Sequence, residues 1–311
     1  MGEPREFFYP SSDGVHTVHA MEWLPQGKPR AVVQIVHGIA EYIGRYGHVA
    51  QFLRERGILV CGEDHLGHGG TADDGVYGYF GPKDGWDHVS RDVRRLRELQ
   101  GEKYPGVPYV MLGHSMGSFL TRTYLIRWPG TVEGAVLSGT GQEPDYLVAL
   151  GKAMAGALCR LRGGTYVSPL VTAMSLGAYN KKFKPNRTSA DWISRDEAVV
   201  DAYRKDPLCT FVPTVGMFRD MMGGLQFIAD GKNLARMEKG TPVYFLSGDH
   251  DPVGGMGEGV KRVVGMFREV GCRDVTLKLY PDGRHEMFNE LNRQEVMEDL
   301  LAWLEEKVIR G

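Results

Sequence analysis

The run Tyr109–Leu112 (YVML) is apolar at every position and passes directly into Gly113-His114-Ser115-Met116-Gly117, after which a helix-like stretch extends from Ser118 to Trp128. A serine between two glycines, preceded by a strand and followed by a helix, describes a sharp turn that lifts a hydroxyl above the end of a sheet. Glycine is needed on both sides because a side chain there meets the neighbouring strand or helix. The same turn aims the amide of Met116 and the positive end of the helix dipole at the hydroxyl. Such a unit needs a parallel sheet with helices against it.

The rest of the chain supplies that sheet. Ala31–Val36 (AVVQIV), Ile58–Gly62, Gly134–Ser138, Val243–Leu246 and Val275–Tyr280 are strand-like runs, several of them apolar on successive residues, as expected of strands covered on both faces. Phe7–Tyr9 and Thr17–Trp23 flank Ser-Ser-Asp-Gly and read as an antiparallel hairpin. Helical spacing joins Val89, Val93, Leu96 and Gln100, and again Val296, Leu300, Leu304 and Val308 within Gln294–Arg310. The expected fold class is α/β, a doubly wound, mostly parallel sheet.

From Gln142 to Lys239 the alternation stops. Tyr146, Leu150, Met154 and Leu158 form one helical stripe, and the segment carries 14 basic against 10 acidic residues in a chain of net charge −2. About 100 residues is too long for a simple loop. The expected organisation is a core of residues 1–141 and 240–311, with a helical cap, or lid, of residues 142–239 inserted above the sheet's carboxyl edge.

Composition narrows the function. With 42% apolar and 24% charged residues the chain is no disordered tail, and a charge of −2 leaves no footprint for nucleic acid. The Arg-rich stretch 91–97 and Lys181-Lys182-Phe183-Lys184 read as solvated faces. Cys61, Cys159, Cys209 and Cys272 are too scattered for a zinc cage or a disulfide scaffold. The N-terminal Met1–Glu6 has no signal-peptide core, and Tyr146–Leu161, interrupted by Lys152, reads as amphipathic. A soluble cytoplasmic protein is expected, with transient contact between cap and membrane surface; the sequence does not set its oligomeric state.

A serine hydroxyl becomes a nucleophile only when a base takes its proton and an acid orients that base. In sheets of this kind the chain order is serine, acid, histidine. His250 and His285 are the histidines beyond the cap; His285, in the turn Asp282-Gly283-Arg284-His285 after VTLKLY, is the expected base. The acid falls in Ser247-Gly248-Asp249-His250-Asp251-Pro252, where spacing leaves both Asp249 and Asp251 open. His37-Gly38-Ile39-Ala40 follows the early strand AVVQIV, and Gly38 allows the Ile39 N–H to face Ser115 beside that of Met116. Each such donor is worth about 3–4 kcal/mol in a transition state. His37, His65 and His68 lack the partner spacing of a metal site. Met154, Met174, Met217, Met221, Met222 and Met237, with Phe211, Phe218 and Phe227, offer cap core and an adaptable apolar pocket wall.

Five blocks in order carry a resemblance: His37-Gly38-Ile39-Ala40-Glu41 with Arg45-Tyr46; Asp64-x-x-Gly67-His68-Gly69; Gly113–Gly117; Gly248-x-x-Asp251; and the His285 turn. Together they resemble the monoacylglycerol lipase and lysophospholipase branch of the α/β-hydrolases, close to the serine aminopeptidase-like group. The resemblance implies Ser115 as nucleophile, Asp251 rather than Asp249 as acid, His285 as base, and the Ile39 and Met116 amides as oxyanion hole. It implies no cofactor and no metal. The expected function is hydrolysis of the carboxylic ester of a single-chain lipid, a monoacylglycerol or lysophospholipid, through an acyl-enzyme. Thr71 stands where the family often has serine, and the cap resembles nothing closely. The rival functions are a short-chain carboxylesterase, a peptidase using Glu143 and Asp145 at the cap entrance, and a non-enzymatic binding protein. The last is opposed by the complete serine, aspartate and histidine set.

Overall fold

The consecutive apolar runs form the middle of one eight-stranded sheet. The computed structural model describes residues 3–309, so Met1 and Gly2 of the N-terminal reading and Arg310 of the last expected helix lie outside the described residues. The strands are β1 (Arg5–Pro10), β2 (Thr17–Trp23), β3 (Ala31–Val36), β4 (Ile58–Glu63), β5 (Tyr109–His114), β6 (Gly134–Ser138), β7 (Val243–Gly248) and β8 (Val275–Tyr280). Their order is β1-β2-β4-β3-β5-β6-β7-β8. β1 and β2 pair antiparallel, as does β2 with β4, and the remaining pairs are parallel. The chain reverses its direction of travel across the sheet between β3 and β5, and the crevice beyond the carboxyl ends of strands at such a point is where open α/β sheets bind ligands.

Helices cover both faces. α1 (Gly47–Arg54), α2 (Gly85–Lys103) and α3 (Met116–Arg127) precede the insertion; α4 (Asp145–Arg162), α5 (Pro169–Met174), α6 (Leu176–Tyr179), α7 (Glu197–Lys205), α8 (Val215–Ala229) and α9 (Gly231–Leu234) lie between β6 and β7; α10 (Glu258–Glu269) and α11 (Arg293–Leu304) follow. Val49 and Leu53 of α1 share one apolar layer with Leu300 and Trp303 of α11. Val89 and Leu96 of α2, Leu120 of α3 and Val263 of α10 build the other. Among the described residues no helix is long and apolar enough to cross a membrane.

The helical stripe of the insertion forms as α4, and its two halves meet different surroundings. α4 packs on α8, with Val148 and Ala155 buried and Met154 and Leu158 of the stripe packed, partly buried, against the core. Tyr146 and Leu150 are 71% and 61% exposed, and Met154 and Leu158 only partly buried. The helix has apolar residues on two sides, and its partner took the side with small ones: Gly151 lies under Met222 and Ala155 is fully covered, while Lys152 Nζ reaches Gln226 Oε1 at 2.8 Å. Where the insertion leaves the core, the buried Arg122 of α3 donates to Gly141 O at 3.0 Å and Gln142 Oε1 at 3.1 Å, and to Ile228 O of α8 at 3.4 Å.

Candidate active site

Ser115 occupies the turn between β5 and α3 with φ 53° and ψ −122°, a conformation rare for a side-chain-bearing residue. Backbone bonds hold it there: Ser115 N–H donates to Ser138 O at 2.9 Å, and Ser115 O accepts from Ser118 N–H at 2.8 Å and Ser118 Oγ at 2.6 Å. A Cβ on Gly117 would lie 1.8 Å from Val36 O and 2.5 Å from His37 O, which is why nothing larger than glycine fits.

The loops after β7 and β8 bring a carboxylate and an imidazole together at the same edge. Asp251 is fully buried, and both its oxygens lie 3.0 Å from His285 Nδ1. Its carboxylate also accepts from Val253 N–H at 2.9 Å and Ser247 Oγ at 3.3 Å. Asp249 is half-exposed and pairs with His250 at 2.7 Å. His285 and Ser115 line one cavity, although among the described residues no hydrogen bond joins Ser115 Oγ to His285. Such contacts are often loose until substrate binds. Burial alone would push the His285 imidazole down, but the charge of Asp251 and its hydrogen bonds, with smaller help from Glu286 and Glu41, hold it above its ordinary value.

Two rings pack on that imidazole. His114 lies 4.7 Å away between centroids and Trp192 5.0 Å away. Burial, reinforced by the nearby His285, pushes His114 down to about 3, so it is neutral near pH 7. Trp192 comes from the insertion, whose backbone is pinned to the histidine's loop: His285 N–H donates to Trp192 O at 3.3 Å and Glu286 N–H to Ile193 O at 2.8 Å. His114 stands inside the Gly113–Gly117 motif, but nothing in the sequence marks its contact with His285, and no local pattern announces Trp192. The Ile39 loop also borders the cavity, and among the described residues no hydrogen bond is made by the Ile39 or Met116 N–H.

The cavity holds only about 90 Å³, walled by Phe119, Tyr179, Trp192, Phe218, Met221 and Met222. Met217 and Met237 are core, and Met174 is exposed. A larger groove of about 710 Å³ runs along α2 to the far end of α3, past Arg91, Arg94, Arg127 and Trp128. Its arginines pair with Asp87 and Glu98, and α3 separates it from Ser115 by about 18 Å. The early histidines are tied up structurally: His65 N–H donates to His37 Nε2 at 3.0 Å, His65 Nε2 meets His37 O at 3.1 Å, and His68 Nδ1 meets Leu66 O at 3.0 Å.

A hydroxyl on a strained turn, an imidazole held by a buried carboxylate and two free amides are the parts that acyl transfer requires. Comparison with known proteins agrees with that chemistry. The family described as serine aminopeptidase, S33 matches residues 27–292. A monoacylglycerol lipase of Mycolicibacterium smegmatis is 33% identical over 298 residues, covering 94% of this chain and 93% of that protein. The crystal structure of a highly thermostable carboxyl esterase from Bacillus coagulans, in complex with glycerol, superposes with a TM-score of 0.92 at 30% identity, covering 99% of each chain. A structure described as the open form of a lipase gives 0.89 at 28% identity, over 98% of this chain and 99% of that one.

Proposed function

The chain belongs to the serine aminopeptidase S33 family of α/β-hydrolases and is a serine hydrolase of its esterase and lipase type, and from that premise we propose that it cleaves the carboxylic ester of a single-chain lipid through an acyl-enzyme on Ser115. The observation that carries the reading is the buried Asp251–His285 pair beside the strained Ser115 turn, in a cavity walled by Phe and Met side chains. With Nδ1 engaged by Asp251, His285 presents Nε2 to the serine. Nε2 takes the Ser115 proton as Oγ bonds the ester carbonyl carbon, and the oxyanion is received by the Ile39 and Met116 amides. His285 returns the proton to the departing alcohol. Water, deprotonated by His285, then releases the fatty acid and restores Ser115.

A monoacylglycerol or lysophospholipid is the proposed substrate, supported by the apolar walls and by the likeness to the M. smegmatis lipase. The short-chain carboxylesterase is the second reading, favoured by the small cavity. The peptidase reading lacks a free carboxylate for a substrate amino group: Glu41 and Glu286 line the cavity but are both engaged by Arg45, and Glu143 and Asp145 are exposed and outside its lining. In this proposal residues 142–239 are the cap over a core of 1–141 and 240–311, and the exposed apolar side of the cap touches membrane transiently. The site is the cytoplasm, in keeping with four free thiols.

A fluorophosphonate probe should label Ser115, and Ser115→Ala should lose about 10⁶-fold in turnover of p-nitrophenyl esters. Undiminished ester hydrolysis by Ser115→Ala would end the proposal.

A further inference from the structure

Three charged side chains at the site have no part in the steps above. Glu41 and Glu286 are both buried, and Arg45 lies between them. Arg45 Nη1 donates to Glu41 Oε2 at 3.0 Å and to Glu286 Oε1 at 2.8 Å, and Nη2 donates to Glu286 Oε2 at 2.7 Å. Burial would raise the Glu286 carboxyl, but the Arg45 charge and hydrogen bonds overcome it and hold the group low; burial wins at Glu41, which is raised. Burying ions in this way does not by itself stabilise a fold, so what the triad holds in place is informative.

One end holds the oxyanion loop. Glu41 Oε1 accepts the Gly38 N–H at 2.5 Å and the Tyr46 hydroxyl at 3.0 Å. On the other side of the same residue, His37 Nε2 accepts the His65 N–H, which leaves the ring proton on Nδ1 to be donated to Gly38 O at 2.8 Å. The Gly38–Ile39 peptide is planar and trans, so fixing its carbonyl toward His37 directs the Ile39 N–H the opposite way. Space around the loop is tight: a Cβ on Gly38 would lie 2.8 Å from Glu41 Oε1 and 2.9 Å from Ser115 Cβ. Ala40 turns the chain with φ 53°, and Glu41 is the first side chain beyond that turn.

The other end holds the loop of the base. Glu286 follows His285, and its carboxylate also accepts from Asn289 Nδ2 at 2.8 Å. Arg45 thus spans the loop 37–41 and the loop 284–289.

We propose that Glu41 is a positioning residue that aims the Ile39 amide at the oxyanion, and that Arg45, shared with Glu286, sets this donor in register with His285. The proposal rests on the reading of Ser115, His285 and the Ile39 amide as the reacting groups. Removing an oxyanion donor outright costs about 10²–10³ in kcat, and loosening one through its support costs part of that.

The test is Glu41→Gln, assayed well above pH 7 where Glu41 is ionised, which keeps the shape and removes the charge that Arg45 and Gly38 share. With active sites titrated by fluorophosphonate, kcat should fall about 10- to 100-fold with KM within about threefold. Affinity for an alkylboronic acid, whose tetrahedral adduct places an oxyanion in the hole, should fall in parallel. Glu286→Gln leaves the Gly38 contact in place and should give the same split at about 3- to 10-fold, which keeps the test available should Glu41→Gln fold poorly. Wild-type kcat and boronate affinity per titrated site in these variants overturn the proposal. Labelling of a residue other than Ser115 in the wild type overturns the underlying mechanism instead, so the two failures are distinct.

Discussion

Asp249 and Asp251 leave the end of β7 two residues apart, and their carboxylates meet different surroundings. Asp251 is enclosed and gives both oxygens to His285, whereas Asp249 stays half-exposed beside His250. Asp251→Asn should therefore lower turnover about 10⁴-fold by mis-orienting the imidazole, while Asp249→Asn should stay within about tenfold, as surface changes usually do. The reverse ranking in steady-state assays would move the acid to Asp249. The same contact predicts a pH profile. The base acts in its neutral form, and His285 is held above its ordinary 6.5, so kcat/KM should rise with pH along a limb centred above 6.5. Asp251→Asn removes the charge that holds the proton, so the limb of its residual activity should shift to lower pH. An unmoved limb would show that Asp251 does not govern this titration.

At the scale of elements, the sheet was the legible part. Ala31–Val36 and Gly134–Ser138 match to the residue because central parallel strands are written as short apolar runs bounded by turns, and Val275–Tyr280, an alternating strand at the sheet's edge, matches as well. The other parallel strands run one or two residues further than read, to Glu63, His114 and Gly248. Those added residues are polar or glycine, buried where the strands enter the site, and hydropathy does not mark such positions. The pentapeptide announced Ser115 because its glycines answer a local clash. Trp192 and the Arg45 triad were not legible as a site, since their partners lie far away in the chain. In α4 the stripe divides: Tyr146 and Leu150 face outward, while Met154 and Leu158 pack against the core. Tyr146, Leu147, Leu150 and Leu161 of α4, with Val167 and then Leu170 and Met174 of α5, are exposed, and Arg160, Arg162, Lys181, Lys182 and Lys184 are exposed nearby in the chain. An apolar stripe with cations beside it suits the interface of an anionic lipid surface. Leu150→Asp with Leu170→Asp should lower co-sedimentation with phosphatidylglycerol vesicles at least about tenfold, since each leucine buried is worth about 1.5–3 kcal/mol. Binding equal to wild type would remove the membrane role from this face and leave the chemistry as it stands.

Over the whole molecule, the difficulty for a lipid substrate is room. The cavity beside Ser115 holds about 90 Å³, against roughly 300–1,000 Å³ for ordinary ligand pockets. An acyl chain therefore enters only if part of the insertion moves. The stretch 191–195 is poorly placed to do so: beyond the bonds to His285 and Glu286, Arg284 Nη1 donates to Ser194 O at 3.1 Å and also to Asp191 O, and Arg195 Nε pairs with Glu290 at 2.9 Å. α4 has fewer such ties and rests chiefly on α8, whose Phe218, Met221 and Met222 line the cavity. Swinging α4 away from α8 would extend the apolar wall without disturbing His285, and the unbranched methionines can repack along a chain of any length. Each methylene that such a wall buries is worth about 0.8 kcal/mol, nearly fourfold in transition-state binding. Catalytic efficiency toward p-nitrophenyl esters, each measured below its critical micelle concentration, should therefore climb from acetate through at least octanoate. A profile that levels off at butanoate would mean that the insertion stays closed and that the enzyme is the short-chain carboxylesterase. A profile flat or falling from acetate onward would remove the lipid substrate altogether while leaving the roles proposed for Ser115, Asp251 and His285 untouched.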